Sequence, residues 1–391
     1  MRRTAIRESA KASRFTESVI REMSRVAREH NAINLAQGFP DFAAPEELKE
    51  AAVRWIRADL NQYAVTWGSD RLRAAIGTYM KNRRGVTIDA DAQVTVCCGA
   101  TEAMIAAIMG VLDPGDEFLV PEPYYENYGP DGILSGAVPL FVPLGDGFTL
   151  DIDALKRASG PKTRAVILNT PHNPTGRVFS PAEITALCDF IKERDMLLFT
   201  DEIYEEILFT GPHRSPLLEP DMAERTIVIS GASKTFSVTG WRIGWIISPP
   251  ALTSGIRKVH DFLTVGAAAP LQEAVAEALL WEDAYFEQLR TDYLHRRALM
   301  VDGLNAAGFP CDVPDGAYYS MVDISRFQQR DENDVQFAMR LVKEAGVATV
   351  PGSSFFANAE DGEHLVRFCY SKRPETLIEA NRRLKEWSAK Q

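Results

Sequence analysis

Thr226-Ile227-Val228-Ile229-Ser230-Gly231-Ala232-Ser233-Lys234-Thr235-Phe236-Ser237-Val238-Thr239-Gly240-Trp241-Arg242 is the stretch on which the reading of this chain turns. Its first four residues are β-branched and the last three of them apolar, the pattern of a buried strand. A run of small residues follows, then Lys234, with Arg242 eight positions further on. A lysine just past a strand can form a Schiff base with an aldehyde ligand. Small neighbours let a flat, bulky ligand approach the backbone, and an arginine offers a planar fork suited to phosphate. A lone lysine after a strand is as readily a surface residue, so the rest of the chain decides.

Outward from this stretch, apolar β-rich runs alternate with helical patterns from about residue 46. The strand-like runs are Gln93–Cys97, Glu117–Val120, Val138–Val142, Ala165–Leu168, Leu197–Thr200, Ile227–Ser230 and Trp245–Ile247. Thr101–Val111 and Pro181–Arg194 are helical stretches between them. Such alternation predicts an α/β fold, a largely parallel sheet with helices on its faces. After about residue 290 the pattern changes to a long charged helix near Tyr285–Ala307, strands near Ala317–Val322 and Leu365–Cys369, and a terminal helix over 374–388. The expected division is a large domain over 46–290 and a smaller α/β domain over 291–391. Residues 1–45, with an amphipathic helix that places Phe15, Val19, Met23 and Val26 on one face, are expected to join the smaller domain.

Composition bounds the function. The 391 residues are 46% hydrophobic and 25% charged, ordinary for a globular protein with a large core. A net charge of -11 argues against a nucleic-acid or polybasic membrane binder. Five scattered cysteines with no zinc-like pair predict a reduced, cytoplasmic setting and no metal site. No apolar leader follows Met1-Arg2-Arg3, and no run of some 18 apolar residues predicts a membrane span.

Several polar residues directly follow strand-like runs, where ligands of parallel sheets bind. Gly99-Ala100-Thr101-Glu102 opens a helix, an anion site or a plain capping turn. Tyr124-Tyr125, after Phe118–Pro123, can stack on a ring or pack under a loop. Asn173 sits in a loop stiffened by Pro171, Pro174 and Gly176, beside His172, which reads as a bystander. Asp201 ends the apolar run Met196–Thr200, with Tyr204 three residues on. A carboxylate there needs a partner: a protonated ring nitrogen, an arginine, or a helix it caps. Glu202, Glu205 and Glu206 read as a solvated face. Arg367, among apolar neighbours in Leu365–Tyr370, pairs with an internal acid or with a substrate carboxylate.

In this order and context the set resembles the pyridoxal-phosphate (PLP) fold-type I aminotransferases of class I/II, over nearly the whole chain. Leu35–Phe42, Asn61-Gln62-Tyr63 and Thr239–Trp245 bring it close to the kynurenine/glutamine, methionine and prokaryotic aspartate aminotransferase branch. The resemblance implies a mostly parallel sheet of seven-stranded type in an α/β/α sandwich. It implies that Lys234 carries the cofactor as a Schiff base and, once freed, moves the substrate proton. Asp201 would keep the ring nitrogen protonated, and Tyr204 and Asn173 would bond the ring's 3′ oxygen. Arg242 and the turn Gly99-Ala100-Thr101 would hold the phosphate, with Ser230 or Ser233 replacing a serine that relatives carry at the place of Gly231. Tyr125 and Ile203 would flank the ring. Arg367, with Asn173 and the backbone of Gly38, would clamp the substrate carboxylate. Tyr63 would reach the phosphate in a neighbouring subunit, which implies a homodimer.

The activity so implied moves the amino group of an L-amino acid (aromatic, methionine- or glutamine-like, or aspartate) to a 2-oxo acid such as 2-oxoglutarate. A β-lyase of the same fold is the alternative, and a non-catalytic PLP-binding regulator a remote one. Thr101 stands where some aspartate-specific relatives carry a lysine. The substrate walls are expected from Phe15, Ile33, Phe39, Tyr63, Trp67, Phe355 and Phe356.

Overall fold

The computed structural model describes residues 8–391. Twelve strands are present among them: β1 (Ile33–Asn34), β2 (Val94–Cys97), β3 (Glu117–Glu122), β4 (Val138–Pro143), β5 (Thr163–Asn169), β6 (Leu197–Asp201), β7 (Thr226–Gly231), β8 (Gly244–Ile247), β9 (Tyr319–Asp323), β10 (Val347–Ala348), β11 (Val350–Pro351) and β12 (Leu365–Cys369). The seven runs expected as strands form one sheet, ordered β2-β8-β7-β6-β5-β3-β4. Only β8 runs antiparallel to its neighbours; the other pairings are parallel.

The runs are apolar throughout because both sheet faces are covered. Side chains alternate across the pleat. Phe118, Val120, Ala165 and Ile167 meet the helices Ala100–Val111 and Pro250–Thr264 on one face. Leu119, Val166, Leu168 and Leu198 meet the helix Pro181–Glu193 on the other. That helix begins where Ser180 and Glu183 form a capping box ahead of Pro181, a strong start signal. At the sheet edge β4 is only partly covered.

The second sheet is antiparallel, ordered β11-β12-β9. It shares an apolar cluster with the helices Asp283–Ala306, Asp334–Ala345 and Pro374–Ser388. The N-terminal segment packs here too. β1 pairs with β10, Ile33 opposite Val347, and Ile20, Met23 and Val26 meet Ala338, Val342 and Phe355. The first helix spans Val19–Glu29 and omits Phe15, because the Ser18 side chain accepts from the Arg21 N–H and fixes the start there. Among the described residues no helix is long and apolar enough to cross a membrane.

Candidate active site

The carboxyl ends of β5, β6 and β7 and the loops beyond them floor a cleft of about 430 Å³, roofed by the N-terminal segment and β9 and β12. That volume suits a ring-bearing cofactor with a small substrate. Lys234 lies in it, in a one-turn helix directly after β7. Its Nζ donates to the Gly38 carbonyl at 3.2 Å, which also accepts the Tyr318 hydroxyl at 2.8 Å. Burial pulls the lysine's proton affinity down to about 8, with Arg242 and Arg367 pushing the same way.

Asp201 sits at the end of β6, level with Asn169 of β5 and Ile229 of β7. Its Oδ2 accepts the Tyr128 hydroxyl at 2.8 Å and its Oδ1 the Ile203 N–H at 3.3 Å. Burial outweighs these bonds and the nearby Lys234 charge, and raises its pKa to about 6. A buried acid under that stress favours a cationic partner. Tyr204 and Tyr319 share a hydroxyl contact of 3.0 Å.

Asn173 is aimed by its loop. Its N–H donates to Asn169 Oδ1 at 2.7 Å, and its own Oδ1 accepts from Arg367 at 2.7 Å. Arg367 is fully buried. It also donates to the Ala36 carbonyl at 2.8 Å and lies 4.1 Å from the Tyr319 ring centroid. No carboxylate pairs with it among the described residues, and its Nε has no partner. A buried guanidinium so poorly satisfied is set up for an anion.

At the other end, Gly99 adopts φ +84, a left-handed conformation that favours glycine. A Cβ on Gly244 would fall 2.5 Å from backbone atoms of Gly99 and Ala100. Two glycines thus let β8 press against the N-terminus of the helix Ala100–Val111. Arg242 lies over Gly99, held by the Thr239 carbonyl at 3.1 Å, and its own backbone is left-handed at φ +55. Strain at a non-glycine residue in a cleft marks a position held for function. Helix N-terminus and guanidinium together are a place that could hold a phosphate.

A family model, aminotransferase class I and II, matches residues 30–384. The chain belongs to that family. This aminotransferase is 41% identical over 382 residues to a probable N-succinyldiaminopimelate aminotransferase of Mycobacterium tuberculosis, covering 95% of this chain and 96% of the other. It is 36% identical to a methionine aminotransferase of Escherichia coli, covering 96% and 97%. The solved Mycobacterium tuberculosis structure superposes with a TM-score of 0.94 at 40% identity, covering 97% of this chain and all of that one. The fold is therefore PLP fold type I, the enzyme is a transferase acting on amino acids and oxo acids, and its cofactor is pyridoxal 5′-phosphate.

The aminotransferase cleft gathers Gly38, Ala100, Thr101, Tyr125, Asn173, Asp201, Ile203, Tyr204, Ser233, Lys234, Arg242 and Arg367 as its lining, with Gly99 under Arg242. Ser230 departs from expectation. It lies within β7, turned away from the cleft, and donates to Glu205 at 2.7 Å. Gly231 is forced by packing: a Cβ there would lie 2.8 Å from the Ile243 carbonyl and 2.9 Å from Gly244 Cα. Tyr63 is 87% exposed and outside the cleft of its own chain. Of the expected substrate walls only Phe39 lines the cleft; Phe15, Ile33, Trp67, Phe355 and Phe356 do not. Phe355 and Ile33 instead pack into apolar clusters.

Glu202, Glu205 and Glu206 are not a solvated face; all are buried. Glu202 accepts from Ser215 and contacts His213 at 2.7 Å. Glu205 and Glu206 pair with Arg84 at 2.7 and 2.9 Å. Tyr128, Asp131 and Tyr319 line the cleft without having been singled out. The spacing of Tyr125, Tyr128 and Asp131, one helical turn apart, was the available signal.

Proposed function

We propose that this aminotransferase exchanges an apolar, aromatic or long unbranched L-amino acid with 2-oxoglutarate, and that Lys234 is the amine that carries the cofactor. When bound, pyridoxal phosphate supplies an aldehyde carbon for the amino group and a conjugated ring that takes up the electron pair left at the substrate's Cα. Asp201 would hold a proton at the ring nitrogen, and that cation would relieve the buried carboxylate. Tyr204 and Asn173 would hydrogen-bond the ring's 3′ oxygen, and Tyr125 and Ile203 would flank the ring. Arg242, the N–H groups at Gly99–Thr101 and Ser233 would hold the phosphate. Lys234, its proton affinity already lowered, moves the proton from substrate Cα.

The observation that carries this reading is Arg367, buried without a carboxylate partner and with an unsatisfied Nε beside Asn173. It clamps the substrate carboxylate, with Gly38 adjoining. The outer wall mixes Phe39 and Tyr125 with Ser18, Arg21 and Gln37, a surface that takes apolar side chains and an acidic oxo acid in turn. Relatives named for N-succinyldiaminopimelate and methionine support an extended donor. Among the described residues the packing clusters favour a large domain over 46–290 and a smaller one of 291–391 joined by the described part of 1–45, with Ile203, Tyr204, Ile207 and Phe209 reaching into the smaller one's core; residues 1–7 lie outside the described residues. Exposed Tyr63 supports a homodimer in which it reaches the partner's phosphate site, and five free cysteines support a reducing cytoplasm.

A donor screen against 2-oxoglutarate tests the reading. The cofactor absorbance should shift with amino acid alone and return on adding the oxo acid. Release of pyruvate and ammonia without that return overturns exchange in favour of β-elimination.

A further inference from the structure

Asp131 belongs to the helix Tyr128–Ser135 and lines the cleft, yet is only 4% exposed. Its Oδ2 is fully buried and has no hydrogen-bond partner. It follows Tyr128 by three residues, and the Tyr128 hydroxyl bonds Asp201. Two buried carboxyl groups thus border one cleft, where charge on one disfavours charge on the other. They are not equivalent. Asp201 receives an O–H and an N–H and faces Lys234 across the cleft, whereas Asp131 receives nothing. Burial and the charge on Asp201 both drive Asp131 toward its neutral form.

We propose that Asp131 stands in the cleft as a neutral carboxylic acid and presents its O–H as a hydrogen-bond donor to the cofactor seated against Asp201. The geometry leaves it that role: an ionised Asp131 would be a buried charge with no donor, while a protonated one needs an acceptor, and the cleft is the open direction. One proton is thereby stored on Asp131 and the whole negative charge rests on Asp201, where a ring cation is met. Tyr125, Glu126, Tyr128 and Asp201, with Arg21, Tyr204, Lys234, Arg242, Tyr319 and Arg367 elsewhere in the lining, are the titratable and charged groups of the cleft. Asp131 positions and tunes the site; the exchange chemistry stays with Lys234.

The inference rests on the cleft being the cofactor site, and its test separates the two. The infrared spectrum of the full cofactor-free chain at neutral pH should contain a protonated-carboxyl C=O band that Asp131→Asn removes. Absence of that difference overturns a neutral Asp131, whatever the cofactor does. Affinity for pyridoxal phosphate is then compared at equal thermal stability. Asp131→Asn, still a donor, should stay within about twofold of the wild type, and Asp131→Leu should weaken binding by about fivefold to tenfold, one lost hydrogen bond. The pH midpoint of the bound cofactor's colour change should not move in Asp131→Asn, because no charge is removed. A fall of that midpoint by about one unit or more, or unchanged affinity in Asp131→Leu, overturns the proposal. A wild-type chain that binds no pyridoxal phosphate refutes the cofactor reading instead.

Discussion

A lysine taken out of water loses affinity for its proton, and Lys234 does so from an ordinary 10.5 to about 8, chiefly by burial. The sign of the linkage follows. Above 10.5 neither folded nor unfolded chain is charged there. As pH falls from 10.5 to 8 the unfolded chain takes up a proton that the folded one refuses, so stability is lost; below 8 the loss is complete. Two and a half units correspond to about 3 kcal/mol, and cleft water reduces this to about 1–2 kcal/mol for a side chain only partly buried. Lys234→Met should therefore abolish turnover and the colour of bound cofactor while stabilising the cofactor-free protein at pH 7. That gain should vanish near pH 10.5. Urea unfolding at both pH values measures it, and a destabilised mutant at pH 7 contradicts the assignment. Lys234, Asp201 and Arg367 were legible in the sequence because a charge at the end of, or inside, an apolar strand must have a reason. For Tyr128 and Asp131 the sequence offers only their one-turn spacing, and which way that short helix faces is decided by packing against residues far along the chain.

At the scale of elements, the seven strands of the main sheet were readable because parallel strands buried on both faces are continuous apolar runs bounded by turn residues. Glu202, Glu205 and Glu206 read as a solvated face for a complementary reason. The three glutamates look solvated locally, but the arginines that pair with Glu205 and Glu206 lie more than 120 residues away in the chain, and Glu202 is covered by His213 and Ser215 of the following loop. Glu206 shows the balance: burial raises its pKa, Arg84 and Arg83 outweigh burial, and the net effect is a lowered value. Tyr79 joins the same carboxylate at 2.6 Å, and Ser230 joins Glu205. This cluster ties the helix Asp70–Tyr79 and its continuation to the chain just beyond β6, directly behind Asp201. Arg84→Met removes the shared cation and leaves two buried carboxylates under-compensated, a loss of about 3–5 kcal/mol. Adding Glu205→Gln should restore part of it, because the charge that needed Arg84 is gone. Thermal unfolding of the single and double variants checks this; a double variant no more stable than the single one refutes a charge-based role.

At the scale of the whole molecule, the part least legible in sequence is the surface on which a second copy would sit. Phe262 is 92% exposed and Tyr63 87%, and Val65, Leu263 and Val265 around them are also open. Single exposed apolar residues are ordinary, but two large aromatics with aliphatic neighbours, Phe262 and Leu263 at the end of the helix Pro250–Thr264 and Tyr63 and Val65 on the loop tied to it through Thr66, are the pattern of a contact surface. Val265 adds a second sign. Its φ of +67 is rare for a β-branched residue, strain that a contact can offset. The loop beneath is firmly tied, since His260 contacts the Thr66 carbonyl at 2.8 Å and Glu102 at 3.0 Å. The surface is thus tied to the helix Ala100–Val111, whose N-terminus is the proposed phosphate site. In a homodimer built on this surface, Tyr63 would leave water and each cleft would be completed by the partner. Phe262→Asp places a charge at the centre of that contact and should convert the protein from twice the chain's mass to a single chain's mass in analytical ultracentrifugation. Affinity for pyridoxal phosphate should fall in step, and Tyr63→Phe in the intact dimer should lower affinity without changing mass. A Phe262→Asp protein that keeps its mass places the contact elsewhere. One that becomes a single chain yet binds cofactor as before removes Tyr63 from the phosphate site.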